Sequence, residues 1–151
     1  MARTEGRACG RLRLVGDLEV GEDDKELSER LSHELIAFNV AATGEDNVRG
    51  MSVRVDDDGG LVGGLSGWTW GTTAGIELLW VRADSRGTGL GSRLLAAAEA
   101  EARRRGCTQV VLTSFTFQAP DFYKRLGFEE YARDEGIPTA GHADVRLRKR
   151  L

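Results

Sequence analysis

The segment that most constrains this chain is Arg86-Gly87-Thr88-Gly89-Leu90-Gly91. It lies between an apolar run, Ile76-Glu77-Leu78-Leu79-Trp80-Val81, and a helical stretch from Ser92 to Arg105. The apolar run reads as a strand, and Leu90, Leu94, Leu95, Ala98 and Ala102 share one helical face. The glycines between them let the backbone approach a ligand closely, and the first-turn amides of a helix point outward without partners. Strand, glycine turn and helix start together specify an anion site suited to a diphosphate. Arg103-Arg104-Arg105 suits the negative end of the helix and Gly106 closes it.

Two common diphosphate classes are excluded. The dinucleotide fingerprint needs glycines at its first, third and sixth positions, and counting from Gly87 the sixth position is Ser92. The acidic residue expected about 20 positions on is missing too, since Gly106, Cys107 and Thr108 occupy that region. No Gly-Lys-Ser or Gly-Lys-Thr follows, so a nucleotide-triphosphate loop fails as well.

Charge and composition narrow the partners. A net charge of −3 argues against nonspecific nucleic-acid binding. Residues 1–60 carry 8 basic and 14 acidic side chains, and residues 82–151 carry 13 and 9. A basic half suits an anionic cofactor and an acidic half suits a cationic amine, although charge alone equally fits two solvated surfaces. The 2 cysteines, Cys9 and Cys107, and the 2 histidines, His33 and His142, have no ligand spacing, so no metal is expected. No apolar run approaches the roughly 20 residues of a membrane span, and the first ten residues lack the apolar core of a signal peptide. These features predict a disordered leader over 1–10, one domain over 11–151, a cytoplasmic location, and Cys107 as a small core residue.

Along the chain, Arg11 to Asp17 reads as a first strand, and Glu22-Asp23-Asp24 as the acidic start of a helix. Leu27, Leu31, Leu35 and Phe38 give that helix an apolar stripe through about Ala42. Met51, Val53 and Val55 alternate with polar residues, Asp57-Asp58-Gly59-Gly60 marks a hairpin turn, and Leu61 to Trp70 returns. Its glycines, including Gly63, Gly64 and Gly67, leave room for another backbone or a ligand. Strands follow over 76–82 and 109–114. Pro120 then opens a short helix with Ala119, Phe122, Tyr123 and Leu126 on one face, and Gly127 ends it. Residues 128–133 and 143–148 are the last strands. Strand, helix, strand, helix, strand from residue 76 onward implies a parallel pairing inside an otherwise antiparallel sheet. The expected fold is α/β (α+β), a mixed, mostly antiparallel sheet of six or seven strands flanked by helices.

The ordered combination of three pieces resembles the GNAT superfamily of N-acetyltransferases. Arg86-Gly87-Thr88-Gly89-Leu90-Gly91 fits its Arg/Gln-x-x-Gly-x-Gly/Ala motif, Ile76 to Val81 resembles its fourth strand, and Phe122-Tyr123-Lys124-Arg125-Leu126-Gly127-Phe128 resembles its Tyr-x-x-x-Gly-Phe segment. The resemblance covers roughly residues 76–130 and implies acetyl-CoA as co-substrate. It implies the pyrophosphate on the amides from Gly87 through Thr88, Gly89, Leu90 and Gly91 to Ser92, with Arg86 adding charge. It further implies splayed fourth and fifth strands, with the pantetheine arm against the backbone of Trp80 and Val81. One backbone N–H there would polarise the thioester carbonyl. The implied reaction is direct attack by a neutral primary amine of a small molecule or peptide. Tyr123 matches the family's acid for the leaving thiolate, and Glu77 is the candidate base. The family often has Asn seven residues before the tyrosine; here Thr116 stands there, and a hydroxyl replaces one amide hydrogen bond but not both.

Bland readings stand beside these. Tyr123 lies on an apolar face and would alone read as core, and Glu77 is as well suited to a structural ion pair as to a base. By strict alternation Glu77 shares its face with Leu79 and Val81. His142 suits a surface or capping role better than catalysis, and Trp68 and Trp70 suit packing better than a substrate pocket. A coenzyme A-binding sensor without turnover is the alternative function, and the late strands leave homodimerisation open.

Overall fold

A computed structural model of the chain describes residues 20–151. The strand expected over 11–17, the leader over 1–10 and Cys9 lie outside the described residues. The described residues fall into two compact units that divide between Leu35 and Ile36. Helix α1 (Lys25–Thr43) begins in the first unit, where the Asp24 carboxylate caps it by accepting the Leu27 N–H at 2.9 Å.

The second unit holds β1 (Arg49–Asp57), β2 (Gly60–Trp70), β3 (Thr73–Val81), a 3-10 turn (Ala83–Ser85), α2 (Leu90–Arg104), β4 (Gln109–Phe115), α3 (Pro120–Arg125), β5 (Glu129–Glu135) and β6 (Ala143–Arg150). The six strands form one sheet in the order β1-β2-β3-β4-β6-β5. The β3–β4 pairing is parallel and the others are antiparallel. A parallel neighbour requires a crossover, which α2 provides.

Packing of α2 sets the position of the glycine turn. Leu90, Leu94, Leu95, Ala98 and Ala102 are all buried, as their spacing predicts. They meet Val62, Leu65, Ile76, Val110, Leu112, Val145 and Leu147 in one core cluster. The helix can lie close because β2 has glycine at position 63: a Cβ there would stand 3.2 Å from Leu90 Cδ2 and 3.3 Å from Leu94 Cδ1. Cys107 joins the same core, and burial pushes its thiol pKa up.

The sheet departs from regularity at one point that matters for the site. Between Ser66 and Gly67 of β2, the register on β3 jumps from Leu78 to Ile76, so Glu77 has no partner opposite it. A Cβ at Gly67 would collide with the Gly75 carbonyl, so only glycine fits this β-bulge. The bulge resets the alternation. Ile76 pairs with Gly67 and Leu79 with Leu65, which puts Ile76, not Glu77, on the face of Leu79 and Val81. This corrects the face expected for Glu77. On β2, the Trp68 indole lies across Gly75, and the Trp70 Nε1 donates to the Glu45 carbonyl at 3.3 Å.

Candidate functional site: a cleft between two splayed strands

Pairing of β3 with β4 runs only from Thr73↔Gln109 to Ile76↔Leu112. Beyond Ile76 the strands diverge and leave a cleft of about 620 Å³. Glu77 to Val81 form one wall, and Thr113 and Ser114 of β4 stand opposite. Ser85–Gly87 and Gly89–Ser92 make one end, and α3 contributes Phe122, Tyr123 and Arg125.

Backbone direction along this wall follows from one hydrogen bond. The Arg82 N–H donates to the Val62 carbonyl of β2 at 2.8 Å. Main-chain groups alternate sides along a strand, so the Trp80 N–H also faces β2, while those of Leu79 and Val81 face the cleft. The Val81 carbonyl accepts from Arg86 Nε at 3.0 Å, on the same side. The free main-chain edge therefore belongs to Leu79 and to the Val81 N–H, and Trp80, 47% exposed, lines the same cleft.

The glycine turn is held by its own side chains. The Thr88 hydroxyl donates to the Ser85 carbonyl at 2.7 Å, and the Ser85 hydroxyl donates to Asp84 at 2.9 Å. Gly87 and Gly89 have φ of 74° and 83°, left-handed values that disfavour any side chain. Gly89 is the N-cap of α2 and supplies no side-chain cap, and the helical ladder starts with Arg93 N–H bonding the Gly89 carbonyl. The N–H groups of Leu90, Gly91 and Ser92 are thus left for an anion. Gly91 is small for a different reason: a Cβ would lie 3.3 Å from the Phe122 ring.

Relatives decide what such a corner belongs to. Residues 15–128 match the Acetyltransferase (GNAT) family. An acetyltransferase of Agrobacterium fabrum is 34% identical over 129 residues, 85% of this chain and 93% of that protein. The chain is a GNAT-family acetyltransferase. A blasticidin-S acetyltransferase of Streptomyces morookaense is 51% identical over 71 residues, 46% of this chain and 49% of its own length. The crystal structure of an acetyltransferase from Bacillus cereus superposes with a TM-score of 0.74 at 31% identity, covering 89% of this chain and 98% of that one. An aminoglycoside 6'-N-acetyltransferase solved with coenzyme A shares the fold at a TM-score of 0.60 and 18% identity, covering 88% and 95%.

Of the twelve site residues read from the GNAT motifs, ten line the cleft: Glu77, Trp80, Val81, Arg86, Gly87, Gly89, Leu90, Gly91, Ser92 and Tyr123. Thr88 does not; its hydroxyl donates to the Ser85 carbonyl. Nor does Thr116, whose hydroxyl accepts the Ala143 N–H at 3.1 Å and whose own N–H donates to the Ala143 carbonyl at 2.9 Å. Thr116 thereby extends the β4–β6 ladder. Sequence reading missed Ser114, Gln118, Phe122 and Arg125 as cleft residues. The Ser114 hydroxyl accepts the Ala119 N–H at 3.3 Å and the Gln118 side chain accepts the Phe115 N–H at 3.0 Å, fixing the chain between β4 and α3. Arg125, one residue beyond Lys124 in the Tyr-x-x-x-Gly-Phe segment, was the legible signal for a second cation. His142 packs edge-on against Phe117 at 5.0 Å and is not a cleft residue. In the arginine run, Arg104 and Arg105 bond Glu101, and Arg105 also donates to the Gly50 carbonyl.

The GNAT turn gives a direct test of its backbone. Gly89→Ala is expected to cost about 1–2 kcal/mol, the penalty of holding an L-residue left-handed. Urea unfolding measures the loss, and a change below a few tenths would show that the turn relaxes freely.

Proposed function

We propose that this chain transfers the acetyl group of acetyl-CoA to a primary amine of a small molecule or peptide by direct attack. The observation that carries the reading is the joining of two features in one cleft. One is a helix start with three unpartnered N–H groups; the other is a strand edge with unpaired main-chain groups beyond Ile76. The first fits a diphosphate and the second fits an extended amide-bearing arm laid alongside β3, with open space above Gly87 and Gly89. Coenzyme A bound to the aminoglycoside enzyme of the same fold supports the assignment of the ligand.

In this reading the amides of Leu90, Gly91 and Ser92 hold the diphosphate, and Arg86 and Arg125 add positive charge at the cleft wall. The Val81 N–H, on the cleft side of β3, polarises the thioester carbonyl. Glu77, exposed at the bulge, takes the proton that the amine must lose, directly or through water. Tyr123 donates a proton to the departing sulfur. The C–S bond breaks as the N–C bond forms, and coenzyme A leaves as the thiol. The blasticidin-S relative favours a small-molecule amine as acceptor.

The test combines calorimetric titration of acetyl-CoA with a panel of primary amines assayed for released thiol. Binding with thiol release on at least one amine is the expected result. Tight binding with silence across a broad panel would instead favour a non-catalytic sensor, and no binding would remove the cleft assignment.

A further inference from the structure

Arg82 stands between β3 and the glycine turn and is not a cleft residue. Its guanidinium is committed elsewhere. Nη2 and Nη1 donate to the two carboxylate oxygens of Asp57 at 2.7 and 3.2 Å, and Nε donates to Asp84 at 2.8 Å. Asp57 closes β1, 25 residues earlier, and its carboxylate also accepts the Gly59 N–H at 2.8 Å. The Arg82 N–H is fixed on Val62, and its side chain is 31% exposed. The two carboxylates raise the guanidinium pKa, and Arg82 in turn lowers the pKa of both acids.

From this point hydrogen bonds and short stretches of backbone lead on to the glycine turn. Asp84 also accepts from the Ser85 hydroxyl, the Ser85 carbonyl accepts from Thr88, and Thr88 adjoins the Gly89 cap of α2. The β1–β2 hairpin is thus tied to the start of α2 through one guanidinium. We propose that Arg82 is a positioning residue, which locks the diphosphate turn to the hairpin and sets affinity for acyl-CoA without touching phosphate. The inference rests on the acetyl-CoA reading of the cleft. Preordering the turn removes part of the entropy that binding must otherwise overcome.

Charge and geometry predict opposite signs for one variant, which makes the test sharp. Asp57→Asn removes a negative charge, so on electrostatic grounds an anionic ligand would bind more tightly. Loss of the clamp predicts weaker binding. Calorimetric titration of acetyl-CoA is expected to show about tenfold weaker binding for both Asp57→Asn and Arg82→Gln, the scale of one charge-assisted contact. The double variant should be no weaker than Arg82→Gln alone, because both substitutions break the same tie. Arg82→Lys keeps the charge but loses the fork, and should not restore affinity. Amide resonances of Gly87, Gly89 and Gly91 should broaden in the unliganded variants while the thermal midpoint stays near that of the parent. Asp84→Asn breaks the other arm and supplies the same readout should Asp57→Asn fold poorly.

Equal or tighter binding by Asp57→Asn, or full rescue by Arg82→Lys, would overturn the positioning role alone. A parent protein that does not bind acetyl-CoA would overturn the cleft assignment as well, and so the two failures are distinguishable.

Discussion

Tyr123→Phe is expected to slow acetyl transfer by about 10²–10⁴-fold, the range for losing a general acid. Affinity for acetyl-CoA should stay within about twofold, since a group used only in the transition state lowers kcat and kcat/KM together. Tyr123 is 9% exposed, and its hydroxyl has no hydrogen-bond partner among the described residues. Its ring meets Phe122 and Phe128 edge-on at 5.0 and 5.8 Å. Phenylalanine keeps those contacts and removes only an oxygen that had no partner, so stability should change little. Burial raises the phenol pKa above its ordinary value of about 10, which keeps the proton in place at neutral pH. The sign of the pH dependence follows. Above about pH 10 the unfolded chain loses this proton while the folded chain retains it, so stability falls as pH rises through that window. The alkaline limb of the rate profile should lie above pH 10 and vanish in Tyr123→Phe. Rates equal to the parent across that range would assign the proton to water instead.

The parts of the fold and cleft legible in the sequence are those fixed by near neighbours. The α2 face, the glycine turn and the Tyr123 helix all depend on residues within about two helical turns of one another, where spacing carries the information. The bulge was not legible. It exists because Gly67 and Gly75 approach across two strands, and strict alternation through Ile76–Val81 cannot register a contact made by β2. Hydroxyl partners were not legible for a related reason. The Thr88 hydroxyl donates to the Ser85 carbonyl and the Thr116 hydroxyl accepts the Ala143 N–H, contacts set by the local fold of each loop. Long-range charge pairs such as Arg82–Asp57 are invisible to any local pattern, although both residues flank turns that the sequence marks clearly.

Lys149→Met is expected to lower stability by about 3 kcal/mol, at the lower end for removing one partner of a buried ion pair. Glu99 lies on α2 with its side chain only 8% exposed, and Lys149 of β6 reaches both of its oxygens at 2.8 and 2.9 Å. Without the lysine, the carboxylate keeps only Arg103, at 3.7 Å and half exposed. That residual pairing places the loss at the lower end of the range. Lys149 also packs its stem beside Gly127 and stands 5.7 Å from the Phe128 ring centre, so methionine is the substitution that preserves packing while removing charge. The cause can be isolated by a second substitution. Glu99→Leu in the Lys149→Met background removes the stranded carboxylate, and an apolar pair of similar volume is often neutral or stabilising there. Urea midpoints should therefore fall for the single variant and recover most of the way in the double, with the slope unchanged. Because α2 carries the diphosphate turn at its other end, the single variant should also weaken acetyl-CoA binding only where the helix itself begins to unfold. A double variant as unstable as the single would show that packing of the lysine stem, and not the paired charge, holds α2 against β6.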